Sequence, residues 1–518
     1  MGESRHAAPT PGDNTPDAGS SDTTAPHGPS DGTLSTGTPA SGARRRTPAS
    51  RRHAPDDVAA GHRARRAGGE RDEDGPAGDH GRRRLDREIL ALALPAFGAL
   101  IAEPLFVLAD SAIVGHLGTA QLAGLSLASN VLLTLVGLCV FLAYTTTAQV
   151  ARLTGAGRGR EALQAGVDGI WLAIGLGAVL AAALVVAADW TVFALGGRDD
   201  VARHAVTYLT WAAPGLVGML MVNAATGVLR GLRDTRTPLV VASAGAVTNM
   251  VLNVVLVYGA GLGIAGSALG TVITQFGMAA VFGLIVVRGG RAHGASLRPH
   301  AHGILAGARA GAPLVVRTLS LRAAILLTVY VATGLGAVAL AAHQVVSSMW
   351  GLAAFALDAL AIASQALVGH GLGAGDVSRV RAVLRRCLRW GVGAGAAIGL
   401  AMAAGGWWIA PLFSSDDDVR VAAALGLAVC GVTMPMAGWV FVLDGVLIGA
   451  GDGRYLAWVG MATLVAYVPA ALAVHAWAPD GAAGLAWLWA AFAGVFMAAR
   501  ALTTGLRARG NRWMITGA

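Results

Sequence analysis

From residue 89 to residue 506 the chain is a succession of apolar runs, each at least as long as the ~20 residues a helix needs to cross a bilayer, with short connections between them. Twelve such spans are predicted, at about 89–114, 121–149, 163–189, 204–229, 237–259, 264–288, 308–333, 338–369, 385–411, 418–448, 455–478 and 481–506. In hydrocarbon every backbone N–H and C=O must find its partner inside its own segment, so runs of this length can only be helices. With 54% hydrophobic and 13% charged residues, a soluble protein is excluded. The expected fold is an all-α polytopic membrane protein.

Charge sets the expected topology. All 39 basic residues are Arg, and they gather at helix ends, which reads as orientation in a membrane and not as a nucleic-acid footprint. The connections 151–161, 230–236, 288–309 and 371–389 are Arg-rich, whereas 115–120, 260–263 and 334–337 have no Arg. Both termini are therefore expected on the cytoplasmic side. Residues 1–84 are rich in Pro, Gly, Ser, Asp and Arg, too poor in apolar residues to bury a core, and are expected to form a disordered cytoplasmic tail. Cys139, Cys387 and Cys430 lie in or beside apolar helices without metal-ligand spacing, so neither a disulfide framework nor a zinc site is implied. His343 and His370 fall near span ends and Asp416-Asp417-Asp418 in a connection, where solvation accounts for them.

The chain repeats itself in one fixed register. Pro95 pairs with Pro313, Gly155-Ala156-Gly157 with Gly373-Ala374-Gly375, Gly227-Val228-Leu229 with Gly445-Val446-Leu447, and Asp234 and Arg236 with Asp452 and Arg454. Two six-helix bundles are expected, over 85–290 and 308–508, joined by a cytoplasmic linker at 291–307 and followed by a C-terminal tail at 509–518.

Against this background the buried polar residues stand out. A carboxylate at hydrocarbon depth costs at least ~2.5 kcal/mol on insertion scales, so it persists only toward a protein interior or a wet cavity. Glu103 and Asp110, seven residues apart, share one face of the first span. Asn249 and Asn253 share a face of the fifth, and Thr271 and Gln275 of the sixth. A buried Asp can hold either a proton or a cation, and amide oxygens can ligate Na⁺ or receive a bond from a protonated Asp; interhelical hydrogen bonding is the alternative for each amide. In the second bundle Arg317, Arg322, Asp358 and Asp444 should pair, either as structure or along a transport path. Catalytic motifs such as HExxH, a phosphate loop or a CxxC pair do not occur, and no nucleotide domain is encoded, so an enzyme or an ATP-driven pump is not expected.

Pro95 and Asp110, LAGLSLAS opening the second span, NMVLNVVLVYGAGLGIAGSALGTVITQ across the fifth and sixth, ALVGHGLGAGD closing the eighth and FVLDGVLIGAGDGR in the tenth resemble the multidrug and toxic compound extrusion (MATE) family, and its DinF-like branch in particular. The resemblance covers roughly 86–508. It implies export of cationic or amphipathic organic compounds in exchange for H⁺ or Na⁺, without a cofactor, by rocking of two bundles in the cytoplasmic membrane of a bacterium, the protein acting as a monomer. The family's ion-site pattern falls on Asp110, Asn249, Asn253 and Thr271, and Pro95 matches its bending element. Many members carry Asp where this chain has Asn253, so Asp110 must bear the coupling largely alone. The alternatives are a lipid-linked precursor flippase of the same superfamily, which would need a cationic cavity where the first bundle's interior carries acids and no Arg, and an integral-membrane lipid-modifying enzyme.

Overall fold

The computed structural model describes residues 76–517; the side chains of residues 76–79 and of Glu103 fall outside the described set. The first half contains α1 (Pro76–Gly115), α2 (Thr119–Leu138) and α3 (Phe141–Gly155) in one span, α4 (Gly159–Ala194), α5 (Asp199–Ala212), α6 (Gly215–Gly231), α7 (Arg236–Val254) and α8 (Gly263–Ala292). The second half contains α9 (Ala301–Gly334), α10 (Ala337–Gly373), α11 (Val377–Ile409), α12 (Asp417–Gly449), α13 (Gly453–Trp477), α14 (Ala482–Trp489) and α15 (Met497–Arg509). Among the described residues eleven helices are long and apolar enough to span a membrane, and the bent pair α5–α6 completes twelve.

Three boundaries differ from expectation. The fourth span breaks by 55° between Ala212 and Gly215, where Pro214 has no N–H to give to the preceding turn. The connection between halves is only residues 293–300, because α8 and α9 run into both ends of the 291–307 stretch. Residues 76–84, expected in the tail, are helical, and the rest of the 1–84 expectation lies outside the described residues. π-helical turns at Val255–Gly259 and Ala490–Phe496 widen the helix in the fifth and the twelfth spans. The first of these follows α7 directly, just past Asn253. α1 is continuous through Pro95 and Pro104.

The internal repeat is written into the backbone. Gly118 and Gly336, Gly157 and Gly375, and Gly263 and Gly481 each take positive φ, and Arg233 at φ 64° matches Gly451 at 77°. Packing follows the same register. A Cβ on Gly227 would stand 2.6 Å from the Ala143 carbonyl, and one on Gly445 2.2 Å from that of Ala361, so each half draws two helices together at the same point.

Each half has its own apolar core, and a third is shared. Ile89, Leu142 and Leu220 of the first half pack with Leu367, Val446 and Trp513 of the second. This shared core lies at the Arg-rich end. There Arg386 bonds Asp86 at 2.5 Å, Arg379 bonds Glu88 at 2.8 Å, and the Trp390 indole donates to Asp86 at 2.8 Å. Ala151 and Gly369 meet so closely that a Cβ on the glycine would be 3.0 Å from the alanine's. The C-terminal tail closes over this seam. Arg152, at the end of α3, donates to the carbonyls of Ala450 (2.9 Å), Ile515 (2.8 Å) and Gly517 (2.7 Å), while Gly517 N–H donates to Leu372 at 3.1 Å. His343, expected in solvent, is buried against Trp489, because α10 starts at Ala337 and turns this residue inward. Asp416 caps α12 by accepting from the N–H groups of Asp418 and Val419.

Candidate functional site

Four helices bring one polar cluster together in the first half. Asp110 lies in the last turns of α1, only 4% exposed. Its Oδ1 accepts from Asn253 Nδ2 at 2.7 Å and Ser267 Oγ at 2.5 Å, and its Oδ2 accepts from the Tyr208 hydroxyl at 3.3 Å. The Asn253 amide also donates to Asn249 Oδ1 at 3.1 Å, and Asn249 Nδ2 donates to Thr271 Oγ1 at 3.3 Å. The i,i+4 spacing of the two asparagines on α7 lets one amide hand its second hydrogen to the other. Asn253 Oδ1 is buried without a partner among the described residues and lies over Gly270, where a Cβ would be 2.1 Å away.

Asp110, Asn249, Asn253 and Thr271 are thus one site. Gln275 belongs elsewhere: one turn beyond Thr271, it lines a cavity. The Glu103 side chain is outside the described residues. Ser267 and Tyr208 were missed. Ser267 sits in GIAGSALG, where a small residue reads as helix packing, and Tyr208 sits on the mixed-polarity leg that precedes the break at Pro214.

The second-half charges are only partly as expected. Asp444 accepts from Arg317 at 2.5 Å and from Arg500, all three in the protein interior. Arg322 is exposed and reaches across to Gly137 of the first half, without an ion pair among the described residues. Asp358 is unpaired among the described residues and faces the cavity together with Arg230. Arg230 corrects the expectation of a first-half interior without Arg: α6 runs through it to Gly231, so what read as the first residue of a loop is the last turn of a helix.

The cavity holds about 260 Å³ between α1, α2, α3, α6, α7 and α8, with Asp358 reaching in from α10. Its walls are Phe106, Val136, Met219 and Phe282, and its polar groups include Tyr144, Asn223, Thr226 and Gln275. The repeat explains why there is space. Its register carries Ala99, Val140, Thr226 and Phe282 onto Arg317, Asp358, Asp444 and Arg500, and all four of these first-half residues line the cavity. Where the second half is filled by an ionic triad, the first half is hollow. The converse holds for the Asp110 cluster. The register carries Asp110, Asn249 and Asn253 onto Thr328, Tyr467 and Ala471, with Thr328 and Tyr467 hydrogen-bonded at 2.7 Å among aromatic rings.

A family model described as MatE matches residues 95–255 and again 313–472, the two matches starting at Pro95 and Pro313, a pair that belongs to the repeat register. The chain belongs to the MatE family. Within this family of multidrug and toxin transporters it is 30% identical over 397 residues to Protein DETOXIFICATION 44, chloroplastic, of Arabidopsis thaliana, covering 73% of this chain and 75% of that protein. It is 29% identical over 378 residues to DNA damage-inducible protein F of Escherichia coli K12, covering 70% and 81%. The crystal structure of the Vibrio cholerae MATE transporter VcmN in its bent form superposes with a TM-score of 0.76 at 21% identity, over 83% of this chain and 99% of that one. The fold is accordingly the MATE fold, twelve membrane helices in two bundles related by the repeat, with relatives on the DinF side of the family.

Proposed function

We propose that the protein exports small amphipathic organic compounds in exchange for protons, with Asp110 as the coupling carboxylate. The observation that carries this reading is the burial of Asp110 among three hydrogen-bond donors. A bare carboxylate accepts from all three. When it takes a proton, the hydroxyls of Ser267 and Tyr208 can turn and become acceptors, whereas the Asn253 amide hydrogen cannot. Proton binding thus turns one Asp110 oxygen into a donor and forces the bonds to Tyr208 on α5 or Ser267 on α8 to reverse, a rearrangement that links the proton to helices around the cavity. A Na⁺ ion could use Asn253 Oδ1, unpartnered among the described residues, but would meet three donors turned toward Asp110, which favours H⁺. The Arg-rich end, with the strap on Arg152, is read as the cytoplasmic side of a bacterial membrane, and the protein as a monomer. A cavity of about 260 Å³ suits a small molecule better than a pyrophosphate-linked lipid, so the flippase alternative is not favoured even though Arg230 supplies the cation it would need.

The test is efflux from proteoliposomes of dansyl-leucine, its methyl ester and dansylcadaverine, under a pH gradient or a Na⁺ gradient. Wild type should move at least one of the three under the pH gradient, and Asp110→Asn should abolish the gradient dependence. Efflux driven by Na⁺ alone would reassign the ion. Absence of gradient-driven flux for all three would overturn antiport.

A further inference from the structure

At the Arg-rich end one carboxylate stands among more cations than it satisfies. Glu88, on α1, accepts from Arg379 of α11 at 2.8 Å and lies 3.5 Å from the exposed Arg84. Arg233, in the connection from α6 to α7, is within electrostatic reach of both Glu88 and Arg379. Its guanidinium makes no hydrogen bond or ion pair among the described residues, and its Nε and Nη2 atoms are buried. Other carboxylates are spoken for. Asp86 is held by Arg386 and by the Trp390 indole, and Asp234, beside Arg233 in the chain, turns away to accept from the N–H groups of Arg236 and Thr237.

A guanidinium with covered, unpaired nitrogens is unfavourable. The backbone adds to the cost, since Arg233 takes φ 64° where the repeat places Gly451 at 77°. With the Arg-rich end closed, as here, one cation is therefore left unsatisfied. The charges also divide between the halves: Glu88 and Arg233 belong to the first, Arg379 to the second. α1 is bound to the first half by the bonds that Asn253, Ser267 and Tyr208 make to Asp110. Any parting of the halves at this end carries Arg379 away and leaves Glu88 beside Arg233. Glu88 then keeps only the exposed Arg84, a water-screened partner of little worth.

We propose that Glu88 exchanges partners during transport, holding Arg379 of the second half while the Arg-rich end is closed and taking Arg233 of its own half when that end opens. The exchange replaces a bond across the seam by one within the first half, so opening leaves neither charge bare. Arg233 is thus a positioning residue for the open state and Arg379 for the closed one. The proposal rests on the antiport reading above for the parting of the halves.

Electron–electron distance measurement in detergent tests it, with nitroxide labels on Arg160→Cys and Ala374→Cys, exposed positions on opposite halves at this end. The native cysteines are buried. A short distance reports the closed end and a long one the open end. Arg233→Gln should raise the short-to-long ratio about three- to tenfold, between the worth of an exposed ion pair and of a buried charge-assisted bond, and Arg379→Gln should lower it by a similar factor. Glu88→Gln weakens the bond in both states and should stay within about twofold of wild type. A latch made by Glu88 and Arg379 alone would instead open in Glu88→Gln as far as in Arg379→Gln, and that result overturns the exchange. An unchanged or lowered ratio in Arg233→Gln overturns it too. Should Arg233→Gln fail to fold, Glu88→Gln against Arg379→Gln still decides. Should wild type show the short distance alone, Arg379→Gln must bring out the long one, and its absence there also refutes the proposal. The measurement needs neither cargo nor gradient. Opposite shifts in the two Arg variants without coupled flux would sink the antiport reading alone; coupled flux with an unmoved ratio in Arg233→Gln would sink this proposal alone.

Discussion

Gly270 contributes nothing polar, yet the site around Asp110 depends on it. A methyl group there would lie 2.1 Å from Asn253 Oδ1, a clash that only movement of the amide can relieve. Gly270→Ala should therefore cost about 1–3 kcal/mol of stability and abolish gradient-coupled efflux, although every hydrogen-bonding residue is intact; a variant that couples normally would show that the Asn253 position is unimportant. Ser267→Ala, which removes the 2.5 Å donor to Asp110, should lower the thermal midpoint in detergent by more than Tyr208→Phe, which removes the 3.3 Å one. A hydrogen bond to a charged group is worth about 1.5–3 kcal/mol, and the opposite order would mean that the network is ranked wrongly. At this scale the sequence was readable where polarity broke an apolar run: Asp110, Asn249, Asn253 and Thr271 announce themselves. It was unreadable where a residue had an innocent local explanation, as with Ser267 among glycines or Arg230 at the head of an Arg-rich connection. The missing information was how far each helix runs before it ends.

Helix count was legible because hydrophobic length is a one-dimensional property, and the repeat because small residues at close crossings cannot drift: Gly227 and Gly445 meet equivalent carbonyls, those of Ala143 and Ala361. The bend at Pro214 was not legible, since proline is tolerated in membrane helices and only packing decides whether it breaks one. The α3–α10 crossing offers a test at this scale. Ala151→Cys with Gly369→Cys would place two Cβ atoms about 3.0 Å apart before relaxation, close to the 3.5–4.5 Å that a disulfide spans. Oxidation should lock the halves together at the Arg-rich end and stop transport, and reduction should restore it. The native Cys139, Cys387 and Cys430 are buried and should not interfere. Undiminished transport in the oxidised protein would mean that the halves need not part there.

For the molecule as a whole, two halves of one ancestral pattern carry different loads. The first keeps a hollow and an ionisable cluster; the second fills the matching hollow with the Arg317–Asp444–Arg500 triad and the matching cluster with aromatic rings. The tail from residue 510 onward ties them at one end through Arg152. Arg152→Gln should raise amide hydrogen exchange across residues 511–517, and removing residues 510–518 should change transport to the same extent as Arg152→Gln, with no added effect when the two are combined, since both act on one contact. Additive effects would show that the tail acts elsewhere. Arg152 grips main-chain oxygens, which every amino acid provides equally. Natural variants of this protein should therefore drift freely at residue 515, as long as the reach of the segment is kept, while Arg152, and Gly517 with its φ of 93°, tolerate almost no change: a partner recognised by its path alone is held to a backbone shape and not to a side chain.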